Sequence, residues 1–338
     1  MGGFNGTTFG KLTVNGNSEN MTVDVVGTIV FVCPSARADL YDNLTITNCK
    51  KVGNERTLNE IYKHTYPNNV GGAVAILSEK GTLNVYGGSY TNNAVNTADS
   101  SIYGGAFYSY ATMNVYGGLF ENNRANRAGA IYCYRTLNVY SATFKNNTAS
   151  TNGGAIYLPA SSSARLYLGA NDELIESKVR FFGNTATSNG GAIYTAGRII
   201  GQDTSFENNT AKNGGAVYVT ASYTTLDLTN ASFKNNTAIT SGGAIYVDGH
   251  SSLNIDDLSL LSVAFEENEA ASGGAIYLGA DSVASLRSVI AKNNTATSSG
   301  AVIYATGTTL EINKLDAQDN AATTNGGVIY STESTITV

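Results

Sequence analysis

Short runs of alternating apolar and polar residues recur along this chain: TLNVY at Thr82–Tyr86, MNVY at Met113–Tyr116, TLNVY at Thr136–Tyr140, LDL at Leu226–Leu228, LNI at Leu253–Ile255 and LEI at Leu310–Ile312. A period of two, bounded by Gly, Ser and Asn, is the pattern of a half-buried β-strand. Apolar spacings of three and four residues, which would mark a helix face, are almost absent. The pattern predicts an all-β chain of many short strands.

These runs belong to a repeat. The pentapeptide GGAIY, with few departures, begins at Gly71, Gly104, Ala128, Gly153, Gly190, Gly214, Gly242, Gly273, Gly300 and Gly326, at intervals of 24 to 37 residues. Between copies lies a second motif, an aromatic followed three residues later by Asn, as in FENNRA from Phe120, FKNNTA from Phe144 and FENNTA from Phe206. Its Asn stands at positions 93, 123, 147, 184, 209, 236, 268, 294 and 320, and in every case but one the next pentapeptide follows after 5 or 6 residues. From pentapeptide to the next aromatic position the distance instead varies from 16 to 28 residues. One corner of the unit is rigid, and the other arm absorbs insertions.

A unit of this size, with two or three strands, cannot bury its own apolar face and must stack on copies of itself. Stacked equivalent strands form parallel sheets about 4.8 Å apart, a β-solenoid of about ten or eleven coils. Each motif then has a role. The Asn is expected to hold a left-handed corner and to bond to the Asn above and below it, the Gly pair to permit a sharp turn, and the aromatics to stack inside. Residues 1–66 read as degenerate N-terminal coils or a cap, in which GTIVFV at Gly27–Val32 lies on GGAIYV and LTITNC at Leu44–Cys49 on the FxxN segment, followed by a loop from about Lys50 to Asn69. Residues 67–338 form the regular array. Since Ile336, Thr337 and Val338 repeat the LNV strand with no FxxN corner after them, the natural array is expected to continue past Val338.

Composition narrows the class. With 42% hydrophobic and 14% charged residues the 338-residue chain is too apolar for a disordered polymer, and it has no apolar run long enough to cross a bilayer as a helix. Its 20 Lys and Arg against 26 Asp and Glu leave a net charge of −6 and no basic stripe, so nucleic acid is not expected as a partner. Met1 to Val14 show no signal-peptide pattern. Cys33, Cys49 and Cys133, with His64 and His250, offer no spacing for a metal site, and no nucleotide-binding or nucleophile-elbow motif occurs. No cofactor, metal or catalytic residue is assigned.

Two features carry candidate chemistry. Alternation turns the fourth and sixth residues of GGAIYx inward and the fifth outward, which places Tyr108, Tyr132, Tyr157, Tyr194, Tyr218, Tyr246, Tyr277, Tyr304 and Tyr330 in a column on the surface. Such a column stabilises stacked strands, and it also forms a candidate ligand-binding stripe. The acidic residues Asp248, Asp256, Asp257, Glu266, Glu267 and Glu269 give the best case for an enzyme acting on polysaccharide, although Glu266, Glu267 and Glu269 occupy positions filled by Lys, Asn and Thr in other copies. The arms at Ser161 to Lys178 and Asp248 to Ser262 are expected to leave the solenoid as side loops that contact any specific partner.

GGAI alternating with FxxN, from about Gly71 to Val338, resembles the repeats of the chlamydial polymorphic membrane proteins and related adhesin-like surface proteins. That resemblance implies a right-handed parallel β-helix, an autotransporter passenger that acts outside the cell as an adhesin. Its implied partner is a host or neighbouring cell-surface glycan or protein, and this segment itself would not insert in a membrane. A passive surface stalk and a polysaccharide-active enzyme are the competing readings.

Overall fold

The computed structural model describes residues 72–338 apart from 77–80, 96–102, 162, 170–177, 221–223 and 256–262, together with 11–14, 21–24, 30–32, 37–41, 44–48 and 50–51. Every strand pair in it is parallel, and no helix occurs among the described residues. The strands form a β-solenoid with four sheets, of 12, 10, 11 and 11 strands. Each complete coil contributes one strand to each sheet in a fixed order, the LNV strand (Thr136–Val139, for example), the aromatic strand (Ala142–Lys145), a short TA strand (Thr148–Ala149) and the pentapeptide strand (Ile156–Leu158), and the terminal coils contribute to fewer.

The TA strand was not foreseen, because its two to five residues carry one constant inward apolar position, the Ala, and no sustained alternation. It is nonetheless continuous, with Thr148 paired to Arg124 on one side and Thr185 on the other. Its inward residue is Ala at positions 125, 149, 186, 211, 238, 270 and 296, each nearly or fully buried.

The interior is built by stacking like on like. Tyr90, Phe120, Phe144, Phe181, Phe206, Phe233 and Phe265 form one buried ring column with centroids 4.7–5.0 Å apart. Leu137, Leu166, Ile199 and Leu226 continue the LNV row in strict register. The fourth and sixth pentapeptide residues, such as Ile156 and Leu158, are fully buried in the same core, as the alternation requires.

Every expected ladder Asn joins one chain of amides. Asn147, for instance, donates from Nδ2 to Asn184 Oδ1 at 3.0 Å and to the Phe120 carbonyl at 2.9 Å, while its Oδ1 accepts from the backbone N and the Nδ2 of Asn123. The chain runs unbroken from Asn93 to Asn320. The left-handed corner, however, belongs to the residue before it: Asn92, Asn122, Asn146, Gly183, Asn208, Asn235, Glu267, Asn293 and Asp319 have φ between 53° and 65°. A side chain cannot turn the corner and fill the ladder at once, so the two tasks fall to consecutive residues. This division explains the recurring Asn-Asn pair.

The Gly pair is imposed by close stacking. Gly153 has a φ of 68°, and a β-carbon on Gly154 would lie 1.9 Å from the carbonyl oxygen of Gly191 in the next coil.

In the first segment Val30 and Phe31 pair with Val74 and Ala75, and Ile46 with Tyr90. Lys50 and Lys51 are a strand of the TA sheet, paired with Ala94 and Val95, rather than the start of a loop; the remainder of the expected loop lies outside the described residues. The two long arms also need correcting. Arg165–Leu168 and Ser252–Ile255 are not loops but in-register LNV strands. Relative to the coil of Thr136–Val139, the extra residues fall on both sides of each strand, within 159–164 and 169–178 around the first and within 248–251 and 256–262 around the second; of these, 162, 170–177 and 256–262 lie outside the described residues.

Candidate functional site

The pentapeptide tyrosines lie on one line outside the core, each ring stacked on the next at 4.6–5.4 Å from Tyr108 to Tyr330. Their exposure differs from the expected open stripe. Tyr108, Tyr132, Tyr157 and Tyr218 are buried, whereas Tyr194, Tyr246, Tyr277, Tyr304 and Tyr330 are half-buried. At the buried end Tyr103 stacks on Tyr132 at 4.8 Å, and the Arg127 guanidinium lies 5.1 Å from the Tyr103 ring and 5.5 Å from the Tyr157 ring. Parallel stacking along the axis occupies ring faces with other rings. What the column offers outward is therefore ring edges and hydroxyls.

Burial pushes the Tyr157 phenol up to about 12. Tyr218 is raised by burial first and then by the Asp248 carboxylate, to which its hydroxyl donates at 3.0 Å. A protonated phenol is the form these sites hold.

The described acidic residues do not form one cluster, although Glu266 and Glu267 share Lys234 at 3.2 and 3.8 Å. Asp248 sits at the turn after the pentapeptide strand on Tyr218, Glu266 pairs with Lys234 at 3.2 Å on the aromatic sheet, Glu267 holds a left-handed corner, and Glu269 opens a TA strand. Asp256 and Asp257 lie outside the described residues, as do His64, Cys33 and Cys49. His250 is exposed, 3.7 Å from Asp281, and Cys133 is buried at an inward position with its thiol pushed up to about 12 by burial. Among the described residues no group of three or more His, Cys, Asp or Glu could hold a metal ion.

The outer face of the LNV sheet holds order that sequence reasoning passed over. Asn84, Asn114 and Asn138 form a second amide ladder at 2.7–2.8 Å, anchored on Asp39. Beside it Tyr41, Tyr86, Tyr116 and Tyr140 stack at 4.7–5.0 Å. The recurring Asn and Tyr of LNVY were the available signal. At Arg165–Leu168 this order ends: Tyr167, 39% exposed, takes the register position of Asn138, and Ile200 follows it. Arg165 and Arg198 flank the pair, with Arg198 donating from Nε at 3.0 Å and from Nη2 at 2.7 Å to the single oxygen Oδ2 of Asp227. This patch begins at the strand that leads into 170–177. Three coils on, about 14 Å along the axis, a strand of the same sheet leads into 256–262.

The sequence profile of the Chlamydia polymorphic membrane protein repeat matches residues 141–159, 178–196, 203–220 and 230–248. Four coils of this rod carry that repeat. Each match spans the aromatic strand, the ladder Asn, the TA strand, the Gly pair and the pentapeptide strand, and leaves out the LNV strand with its insertions. In this chain the matched segments are thus the rigid corner of the coil, and the patch around Tyr167 lies outside them, on the arm whose length varies from coil to coil. No curated protein and no solved structure matches the chain.

Proposed function

We propose that this chain is a rod-shaped, non-catalytic passenger segment displayed at a cell surface, which binds a glycan or protein of a host or neighbouring cell. The observation that carries this reading is the polymorphic membrane protein repeat on a parallel solenoid whose length variation falls mainly on the arm from the pentapeptide strand to the aromatic strand. Such a rod holds its coils at fixed spacing, so substitutions on the variable LNV face and its turns change recognition without disturbing the ladder. Tyr167 and Ile200 supply apolar contact area and Arg165 a charged rim, the composition that interfaces favour.

The test uses the full chain on glycan arrays, matrix proteins and cultured cells, beside a variant lacking 170–177 and 256–262 and a second carrying Tyr167→Ala and Ile200→Ala. Binding by the full chain that falls at least tenfold in both variants, with unchanged thermal unfolding, supports the assignment. A full chain that binds nothing would favour the passive stalk, and release of reducing or unsaturated ends from polysaccharide would favour an enzyme.

A further inference from the structure

The corner between the aromatic and TA strands sets two chemically identical side chains next to each other in opposite environments. In Asn146-Asn147, Asn208-Asn209, Asn235-Asn236 and Asn293-Asn294 the second Asn is fully buried in the ladder. The first is exposed or half-exposed at the left-handed corner, with φ between 53° and 57°. Its backbone N–H is held by the next coil, as in Asn146 to the Phe182 carbonyl at 2.9 Å and Asn235 to the Glu266 carbonyl at 3.0 Å. Its side-chain amide is not: among the described residues only that of Asn208 has a partner, Glu207 Oε1, at 3.4 Å.

In these four coils the residue after the ladder Asn is Thr148, Thr210, Thr237 or Thr295, the first residue of the TA strand. All four are exposed or half-exposed, and none of their hydroxyls has a hydrogen-bond partner among the described residues. Asn-x-Thr with x other than Pro is the acceptor sequence for N-linked oligosaccharide. The register decides which Asn is read. Counting from the corner Asn gives Asn146-Asn147-Thr148, a complete acceptor, whereas counting from the ladder Asn gives Asn147-Thr148-Ala149, which is none. The sequence addresses the one amide that is open and passes over the one whose bonds hold the rod together.

We propose that Asn146, Asn208, Asn235 and Asn293 are acceptors for N-linked oligosaccharide. The donor class is an oligosaccharide joined through its anomeric carbon to a lipid pyrophosphate. The Asn Nδ2 forms a bond to that carbon, the bond from the carbon to the pyrophosphate oxygen breaks, an amide proton is released, and the lipid pyrophosphate leaves. The four sites fall on one edge of the rod within five coil spacings, about 24 Å. None of the insertions falls at that edge, where the spacing from the aromatic position to the ladder Asn is constant, so glycans there keep the patch around Tyr167 open. Asn230-Ala231-Ser232 has the same spacing, but its Nδ2 donates to Asp203 Oδ1, and it is not part of the assignment.

The inference rests on display outside the cytoplasm, and its test separates the two. The full chain is isolated from the surface fraction of its own cells, cut with protease, and its intact glycopeptides are sequenced by mass spectrometry. Oligosaccharide on the four corner Asn, with unmodified ladder Asn, is expected. Replacing the four Thr by Val should abolish it without shifting thermal unfolding, and replacing them by Ser should restore it. Surface-located chain with all four corner Asn bare overturns the proposal. If the chain is not found at the surface, the display reading fails by itself. Purified oligosaccharyltransferase with lipid-linked oligosaccharide then decides this one on the full chain: transfer to the corner Asn sustains it, and no transfer overturns it.

Discussion

Replacing Asn209 by Ala tests whether the amide ladder holds the coils together. Asn209 Oδ1 accepts from the Asn184 backbone N–H and from Asn184 Nδ2, both at 3.0 Å, and its Nδ2 donates to the Phe181 carbonyl at 3.1 Å and to Asn236 Oδ1 at 2.9 Å. In the Ala variant the Asn184 N–H loses its acceptor, and the Phe181 carbonyl loses one donor. Asn184 Nδ2 keeps the Phe144 carbonyl, and Asn236 Oδ1 keeps the backbone N–H of residue 209. One orphaned buried donor costs about 1–3 kcal/mol, and the three groups that each lose one bond, the Phe181 carbonyl, Asn184 Nδ2 and Asn236 Oδ1, together add about 2 kcal/mol, for a sum of about 3–5 kcal/mol. Asn208→Ala, one residue away, removes no buried bond and costs about 1 kcal/mol, the strain of Ala at a φ of 57°. Because a solenoid is held by nearest-neighbour interfaces, the loss should be local. Urea unfolding gives its size. Hydrogen exchange of the flanking strands Thr204–Glu207 and Ser232–Lys234 gives its place. Equal losses for Asn208→Ala and Asn209→Ala, or a loss below about 1 kcal/mol for Asn209→Ala, would refute the reasoning.

Phe206 is buried between Phe181 at 4.8 Å and Phe233 at 4.7 Å, so Phe206→Ala should cost about 3–5 kcal/mol in urea unfolding and Phe206→Leu less than half of that. Gly154→Ala puts a β-carbon 1.9 Å from the Gly191 oxygen and should abolish soluble folding, whereas Gly327→Ala, with nothing within 4 Å, should leave the melting temperature unchanged. Alkaline pH should loosen the tyrosine column. Tyr157 holds its proton up to about 12 in the folded chain, against an ordinary value near 10, so its contribution is complete below pH 10 and is lost as pH rises toward 12, where only the unfolded chain releases the proton. Melting temperatures that stay flat across this window, with tyrosinate absorbance already developed in the folded state, would contradict the burial of that ring.

Much of this architecture was legible because each motif keeps one physical task in every coil. The aromatic column, the inward pentapeptide positions and the buried Asn line followed from alternation and spacing alone. Tasks divided between neighbours were not legible. Asn146 and Asn147 read alike, and only the backbone reveals that one turns the corner and the other fills the ladder. The TA strand was hidden because its two to five residues hold only one constant inward apolar position, which carries no period. The tyrosines were placed on the correct side of the strand, but their burial arises from Tyr103, Arg127 and the rings above and below, which alternation within a strand does not report. The patch at Tyr167 was concealed inside an arm read as a loop, since RLYL no longer looks like TLNV until the register aligns them.

The amide ladder also has a direction. In every step from Asn93 to Asn320, the coil nearer the N-terminus gives its N–H groups and the coil nearer the C-terminus gives its Oδ1. Counting the Asn-to-Asn bonds alone, cutting the stack leaves N–H donors on one cut surface and Oδ1 acceptors on the other, while the bond that each Nδ2 returns to the previous coil, as from Asn147 to the Phe120 carbonyl, runs the opposite way. Two rods of this kind can match Asn Oδ1 to Asn N–H across a junction only head to tail, since a head-to-head junction would set Asn donors against Asn donors. The same asymmetry gives assembly a template: as coils are laid down from the N-terminal side, each new coil docks by offering an oxygen to amide protons already held in place, so the register of the coil beneath selects the register of the next.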